Sequence, residues 1–326
     1  MVRAVSAMLV GTLLCGCLVA LGQTVPEGRR IFANDGDTIY EIAVDSLTGL
    51  TTACSIFHLD YDWVILDLKA GPDGLLYFSD TFHHRIIRCD PDGAFWEIVA
   101  QDERIYPAET TFDDRGNLYF SNTVCRFALT RVDCPDEFAG IWIVENATDA
   151  EPGPLRRLIS PDAYGPYPIE RGWCRSPELR YVPSGPFSGG LLTDAVGGFP
   201  SLCVVTDPDR FRCAPFVREE DCSKFSRRLS EDGCPTDVTA FDEAFTPSGD
   251  LLATDPFGNQ ILRFGPDGTY LGRFAAFPRP SKLAVDSEGH VYATSDDDVL
   301  RIFDSVGTLL SLIFVGRPVD GIAVLE

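Results

Sequence analysis

GLLYFSDTFHHRIIRCDPDG, Gly74 to Gly93, returns as GDLLATDPFGNQILRFGPDG, Gly249 to Gly268, after an interval of 175 residues. The two stretches align over 20 residues without a gap, and nine positions are identical: Gly, Leu, Asp, Phe, Ile, Arg and the closing Pro-Asp-Gly. Each reads as an apolar run of strand length, a polar turn, a second run (Arg85-Ile86-Ile87-Arg88 or Gln260-Ile261-Leu262-Arg263) and a further turn. Weaker copies start at a turn glycine at Gly28, Gly116, Gly190 and Gly289; with Gly74 and Gly249 the intervals are 46, 42, 74, 59 and 40 residues. The short intervals match one blade of a propeller, four strands in roughly 40–50 residues. Six anchors predict an all-β, six-bladed β-propeller. The chain begins on a second strand, Ile31 to Asn34, and ends on a lone innermost strand within Pro318 to Glu326. The C-terminal strand is therefore expected to complete the first blade, closing the ring and removing exposed sheet edges.

The first 22 residues read as a signal peptide. Arg3 gives the positive start, Ala7 to Leu21 is uncharged and apolar, and Ala20-Leu21-Gly22 is a cleavage site before Gln23. Residues 23–326 then form one domain, secreted or periplasmic, with no transmembrane segment. Lipid attachment at Cys17 is disfavoured because Leu18 to Leu21 continue the apolar run past it. A net charge of -22 argues against nucleic acid, whose phosphates need a Lys/Arg surface, and against anionic lipid. A monomer is expected. Of 11 cysteines two lie in the signal segment. Spacing suggests local bridges for Cys203/Cys213, Cys222/Cys234 and Cys125/Cys134, and buried free thiols for Cys54 and Cys89.

The stretch from Pro280 to Ser295, PSKLAVDSEGHVYATS, resembles the NHL repeat, as does GNQILRFGPDG. The wider relatives are six-bladed propellers that include the gluconolactonase/regucalcin family, and the resemblance covers nearly the whole mature chain. It implies the fold. For activity it implies a calcium-dependent lactonase with metal ligands eight residues before each turn glycine. Here those positions hold Leu66, Ala108, Phe241 and Ser281, and only Glu178 and Asp320 match the acidic pattern. One residue later stand Asp67, Glu109, Asp242 and Lys282, a ring at equal height around the channel. Such acids repel one another unless a cation or Lys282 compensates, and Ca2+ suits their oxygens. Which of the two positions points to the axis stays open.

Extra residues fall near 123–139, 161–175 and 218–236, all expected on the face where innermost strands begin. These insertions bring arginine and aromatic side chains together in an acidic chain. Arg171, Trp173, Arg175, Tyr164, Tyr167, Phe225, Arg227 and Arg228 are the candidate ligand-binding residues, for a small anionic or sugar-like ligand or an unknown protein. The competing reading is a stapled surface loop whose arginines pair with Glu219, Glu220 and Asp221. No HExxH, P-loop or GxSxG occurs. His83-His84 reads as a solvated turn, and the Asp or Asn closing each second strand (Asp80, Asn122, Asp194, Asp255) as a turn-capping residue. The resulting expectation is a non-enzymatic binding scaffold, the alternative being a metal-dependent lactone or ester hydrolase with its site at the channel mouth.

Overall fold

A computed structural model describes residues 25–44, 51–58, 65–122, 138, 140–159, 179–193, 203–207, 212–217, 228–229, 235–236, 242–317 and 319–326. Every sheet is antiparallel. Five four-stranded sheets are each built from consecutive strands. Numbered by their place in the molecule, these are sheet II (Ile65–Ala70, Leu76–Asp80, Arg85–Cys89, Trp96–Gln101), sheet III (Pro107–Phe112, Leu118–Asn122, Gly140–Val144, Leu155–Ile159) and sheet IV (Leu179–Tyr181, Leu191–Thr193, Cys203–Asp207, Arg212–Pro215), followed by sheet V (Glu243–Phe245, Leu251–Asp255, Gln260–Phe264, Tyr270–Ala276) and sheet VI (Pro280–Val285, Val291–Ser295, Val299–Phe303, Leu309–Phe314). Sheet I joins the two ends of the described chain: Gly321–Leu325 pairs with Arg30–Asn34, followed by Thr38–Val44 and Thr51–His58. A two-residue ribbon, Arg228–Leu229 with Pro235–Thr236, stands apart.

The second strand of each repeat is buried on both faces, so side chains alternate between two neighbouring sheets. In sheet II, Phe78 and Leu76 pack with Phe32 and Ile39 of sheet I, whereas Tyr77 packs with Phe120 and Trp142 of sheet III. In sheet I, Ile31 and Ala33 face Tyr292 and Ile302 of sheet VI. Further clusters lie between III and IV, IV and V, and V and VI. Each sheet is thus covered by its neighbours, the defining packing of a β-propeller. No helix among the described residues is long and apolar enough to cross a membrane.

The turn glycine carries a positive φ at Gly74, Gly116, Gly249 and Gly289, where an L side chain would be strained. In sheet IV the expected Gly190 gives way to Gly189, φ +85°. The turn there is longer than in the other sheets and contains a second positive-φ glycine, Gly185.

Candidate functional site

Three innermost strands carry an irregularity at one place. In sheet II it lies between Ile65 and Leu68, in sheet III between Pro107 and Thr110, in sheet VI between Pro280 and Leu283. Two residues there face one on the second strand, which is a β-bulge, and a bulge re-aims a side chain. The re-aimed residues are Asp67, Glu109 and Lys282. Each backbone N–H donates to a hydroxyl of the second strand: Asp67 to Ser79 (3.0 Å), Glu109 to Ser121 (3.1 Å) and Lys282 to Thr294 (3.2 Å). Asp242, just before the first strand of sheet V, donates likewise to Thr254 (2.8 Å).

These side chains form one buried belt with two cations. Lys69, two residues after Asp67 and on the same strand face, donates to Asp67 Oδ1 at 2.8 Å. Asp67 Oδ2 accepts Thr110 N at 2.8 Å and Thr110 Oγ1 at 2.7 Å, tying sheet II to III. Lys282 Nζ reaches from sheet VI to Glu109 Oε1 at 3.1 Å. Arg180 of sheet IV donates to Asp242 Oδ1 and places Nη1 3.5 Å from Glu109 Oε2. Asp242 Oδ2 accepts Leu283 N at 2.8 Å, tying V to VI. Burial alone pushes the Glu109 and Asp242 carboxyls up. Lys282, Lys69 and Arg180 outweigh it, so both lie below the usual carboxylate range.

The acids proposed as calcium ligands are therefore reassigned. Calcium asks for six to eight oxygens. Here Asp67 and Asp242 have both carboxylate oxygens engaged by donors, and Glu109 Oε1 is held by Lys282. Only Glu109 Oε2 lacks a hydrogen bond, and it faces the Arg180 guanidinium. These residues do not fit a metal ion, and no group of three or more His, Cys, Asp or Glu among the described residues does. Asp320, which precedes the Gly321–Leu325 strand, donates its N–H to Asn34 O at 2.8 Å. Desolvation of its carboxyl by the surrounding protein raises its pKa, Lys282 opposing and Asp35 adding to the rise. Glu178 lies outside the described residues.

The same limit applies to most of the candidate loop residues. Tyr164, Tyr167, Arg171, Trp173, Arg175, Phe225 and Arg227 lie outside the described residues, and Arg228 is described only as backbone in the short ribbon. The flanks of these segments are described. Asn122 and Phe138, on either side of 123–137, meet where Asn122 Nδ2 donates to Phe138 O at 2.6 Å. Asn122 pairs with Pro107, the start of an innermost strand. Ile159 and Leu179 bracket the second segment, and Val217 and Asp242 the third. Asn122, Gly140, Ile159 and Leu179, which flank the first two segments, pair at the end of their sheets that carries the belt, and Asp242, which follows the third, belongs to the belt.

Smaller expectations fall as follows. Asp80 accepts Arg85 Nε at 2.7 Å and meets His83 Nδ1 at 2.8 Å, while His84 Nδ1 contacts Ile105 O at 2.8 Å. Asp255 accepts Gly258 N at 2.8 Å and Gln260 Nε2 at 2.9 Å. These residues hold turns; Asp194 lies outside the described residues. Cys203 sits opposite Pro215 and Cys213 opposite Val205, two residues out of direct register. Cys125, Cys134, Cys222 and Cys234 lie outside the described residues. Cys89 is a buried free thiol that burial pushes up to about 12.

Sequence reasoning missed Lys69 and Arg180. The first is visible as the same-face neighbour of Asp67. The second was hidden because the longer turn of sheet IV breaks the seven-residue offset that finds the others.

No protein-family model matches the chain, and no curated protein is similar enough to match. Among solved structures, one chain of a nidogen/laminin complex aligns at TM-score 0.60 and 13% identity, over 92% of this chain and 99% of that one. A protein of unknown function from Bacteroides caccae aligns at TM-score 0.57 and 13% identity, over 91% and 99%. A gluconolactonase from Xanthomonas campestris aligns at TM-score 0.48 and 17% identity, over 90% and 89%. The chain is an all-β propeller. At these identities the likeness is one of fold.

Proposed function

We propose that this protein is an exported, NHL-type propeller that binds a ligand or protein partner through its loop-bearing face and does no chemistry in its channel. Each four-stranded sheet is read as one blade, so the propeller has six, and the Gly321–Leu325 strand closes the ring by completing the first. The pairing of that strand with Arg30–Asn34 and the cluster between sheets VI and I support this reading. The observation that carries the function is the shared end: described residues flanking the arginine- and aromatic-bearing insertions, among them Asn122, Ile159, Leu179 and Asp242, lie at the end of the sheets that carries the belt, where Lys69, Arg180 and Lys282 pair with Asp67, Asp242 and Glu109. Recognition is left to the loops, where Arg171, Trp173, Arg175, Tyr164, Tyr167, Phe225, Arg227 and Arg228 supply cationic and aromatic groups. Export follows from the signal-like first 22 residues.

The test is retention on a sulfated-polysaccharide column at low ionic strength. A chain of net charge -22 is repelled by such a column unless a cationic patch engages it. Wild type should be retained. Arg171→Ala/Arg175→Ala and Arg227→Ala/Arg228→Ala should elute earlier with unchanged melting. Equal elution of all three proteins would remove the anionic-ligand form of the proposal. Turnover of a lactone or ester that is lost in Asp320→Asn would replace the scaffold with the hydrolase.

A further inference from the structure

The belt holds charges from five of the six sheets in a buried place. Glu109, on sheet III, and Lys282, on sheet VI, are 173 residues apart in sequence and 3.1 Å apart in space. They come from sheets that share no apolar cluster among the described residues, so their contact crosses the channel. Arg180 bridges from sheet IV to Asp242 of sheet V and to Glu109. The side chains of Glu109 and Asp242 are 4% and 1% exposed, so water solvates neither charge. A buried carboxylate without a partner costs several kcal/mol.

We propose that the Lys282 ammonium is a tethered counter-ion: it takes the place beside Glu109 that a bound cation would otherwise have to fill, and it locks opposite sides of the propeller across the channel. Removing its charge takes the donor from Glu109 Oε1 and leaves Glu109 with Arg180, which also serves Asp242. Removing the Glu109 charge as well removes the acid that lost its partner. The pair makes a sign prediction that simple loss of packing does not make, because a second substitution in the same contact should repair the first. The proposal deepens the scaffold reading and rests on it only for the premise that the channel does no chemistry; it needs nothing from the loops.

Thermal unfolding of the full chain tests it, with wild type, Lys282→Met, Glu109→Gln and the double variant, each in chelator and in millimolar calcium. Wild type should melt at the same temperature in both. Lys282→Met keeps the length of the side chain and should melt about 5 °C lower or more. The double variant should recover at least half of that loss; if Lys282→Met does not fold, the double variant should. A double variant no more stable than the single one overturns the counter-ion role, as does a Lys282→Met protein that melts with wild type. Calcium raising the wild-type midpoint also overturns it. None of these readings depends on polysaccharide retention, so failure here and failure of the binding proposal are separate results.

Discussion

Asp286 stands in the turn before Gly289, its side chain wholly buried, and donors converge on it. Oδ1 accepts Glu288 N at 3.0 Å and His290 N at 2.8 Å; Oδ2 accepts Arg29 Nε at 3.0 Å and Tyr292 OH at 3.1 Å and meets His290 Nδ1 at 2.9 Å. Asp113 repeats the arrangement before Gly116 with Arg115 N, Asn117 and Tyr119. The aspartate of this turn is thus a structural acceptor, which explains why it recurs without marking a site. Burial pushes the Asp286 carboxyl up, and His290 and Arg29 more than offset it, leaving it below the ordinary range. A carboxyl depressed in the folded state stabilises above its unfolded value, near 3.9, and loses that contribution as pH falls through the folded value. Asp286→Asn should cost about 2–4 kcal/mol at pH 7 in urea unfolding. The gap should narrow below about pH 4. Equal urea midpoints at pH 7 would contradict this account of the turn.

At the scale of the element, the repeat was legible because both the turn glycine and the strand spacing are chemical necessities. Gly74 and Gly249 have φ near +80°, and the identity between their two stretches preserves the register that buries Leu76, Phe78, Leu251 and Ala253. The glycines differ in what surrounds them. A Cβ on Gly74 meets nothing, whereas one on Gly268 runs into the Phe216 carbonyl, across the sheet IV–V boundary. Gly74→Ala should therefore cost about 1 kcal/mol, the backbone penalty alone. Gly268→Ala should cost at least about 2 kcal/mol more, because backbone cannot move aside as a side-chain tip can. Equal costs in denaturant unfolding would show that the turn does not press on Phe216. The bulges were less legible. The offset of seven residues before the glycine found Asp67, Glu109, Asp242 and Lys282, but nothing local in the sequence says that a bulge turns them toward one another. Arg180 escaped entirely, since the Val182–Gly189 turn is longer than its counterparts.

At the scale of the molecule, six apolar clusters, each shared by two sheets, account for a propeller, and the charged belt accounts for its centre. The sequence pointed to this architecture through strand-length apolar runs and turn glycines recurring at blade-length intervals. What composition could not give was the pairing of charges across the channel, because such pairs join residues far apart in the chain. The acids that look like metal ligands in a linear reading become partners of Lys69, Arg180 and Lys282 once the packed sheets bring them together. The account's central claim is that this channel is filled by its own cations and leaves binding to the loops. Calorimetric titration of the purified, chelator-treated protein with calcium tests it most directly. The account predicts no saturable heat up to millimolar calcium; stoichiometric, tight binding that is lost in Asp320→Asn would contradict it.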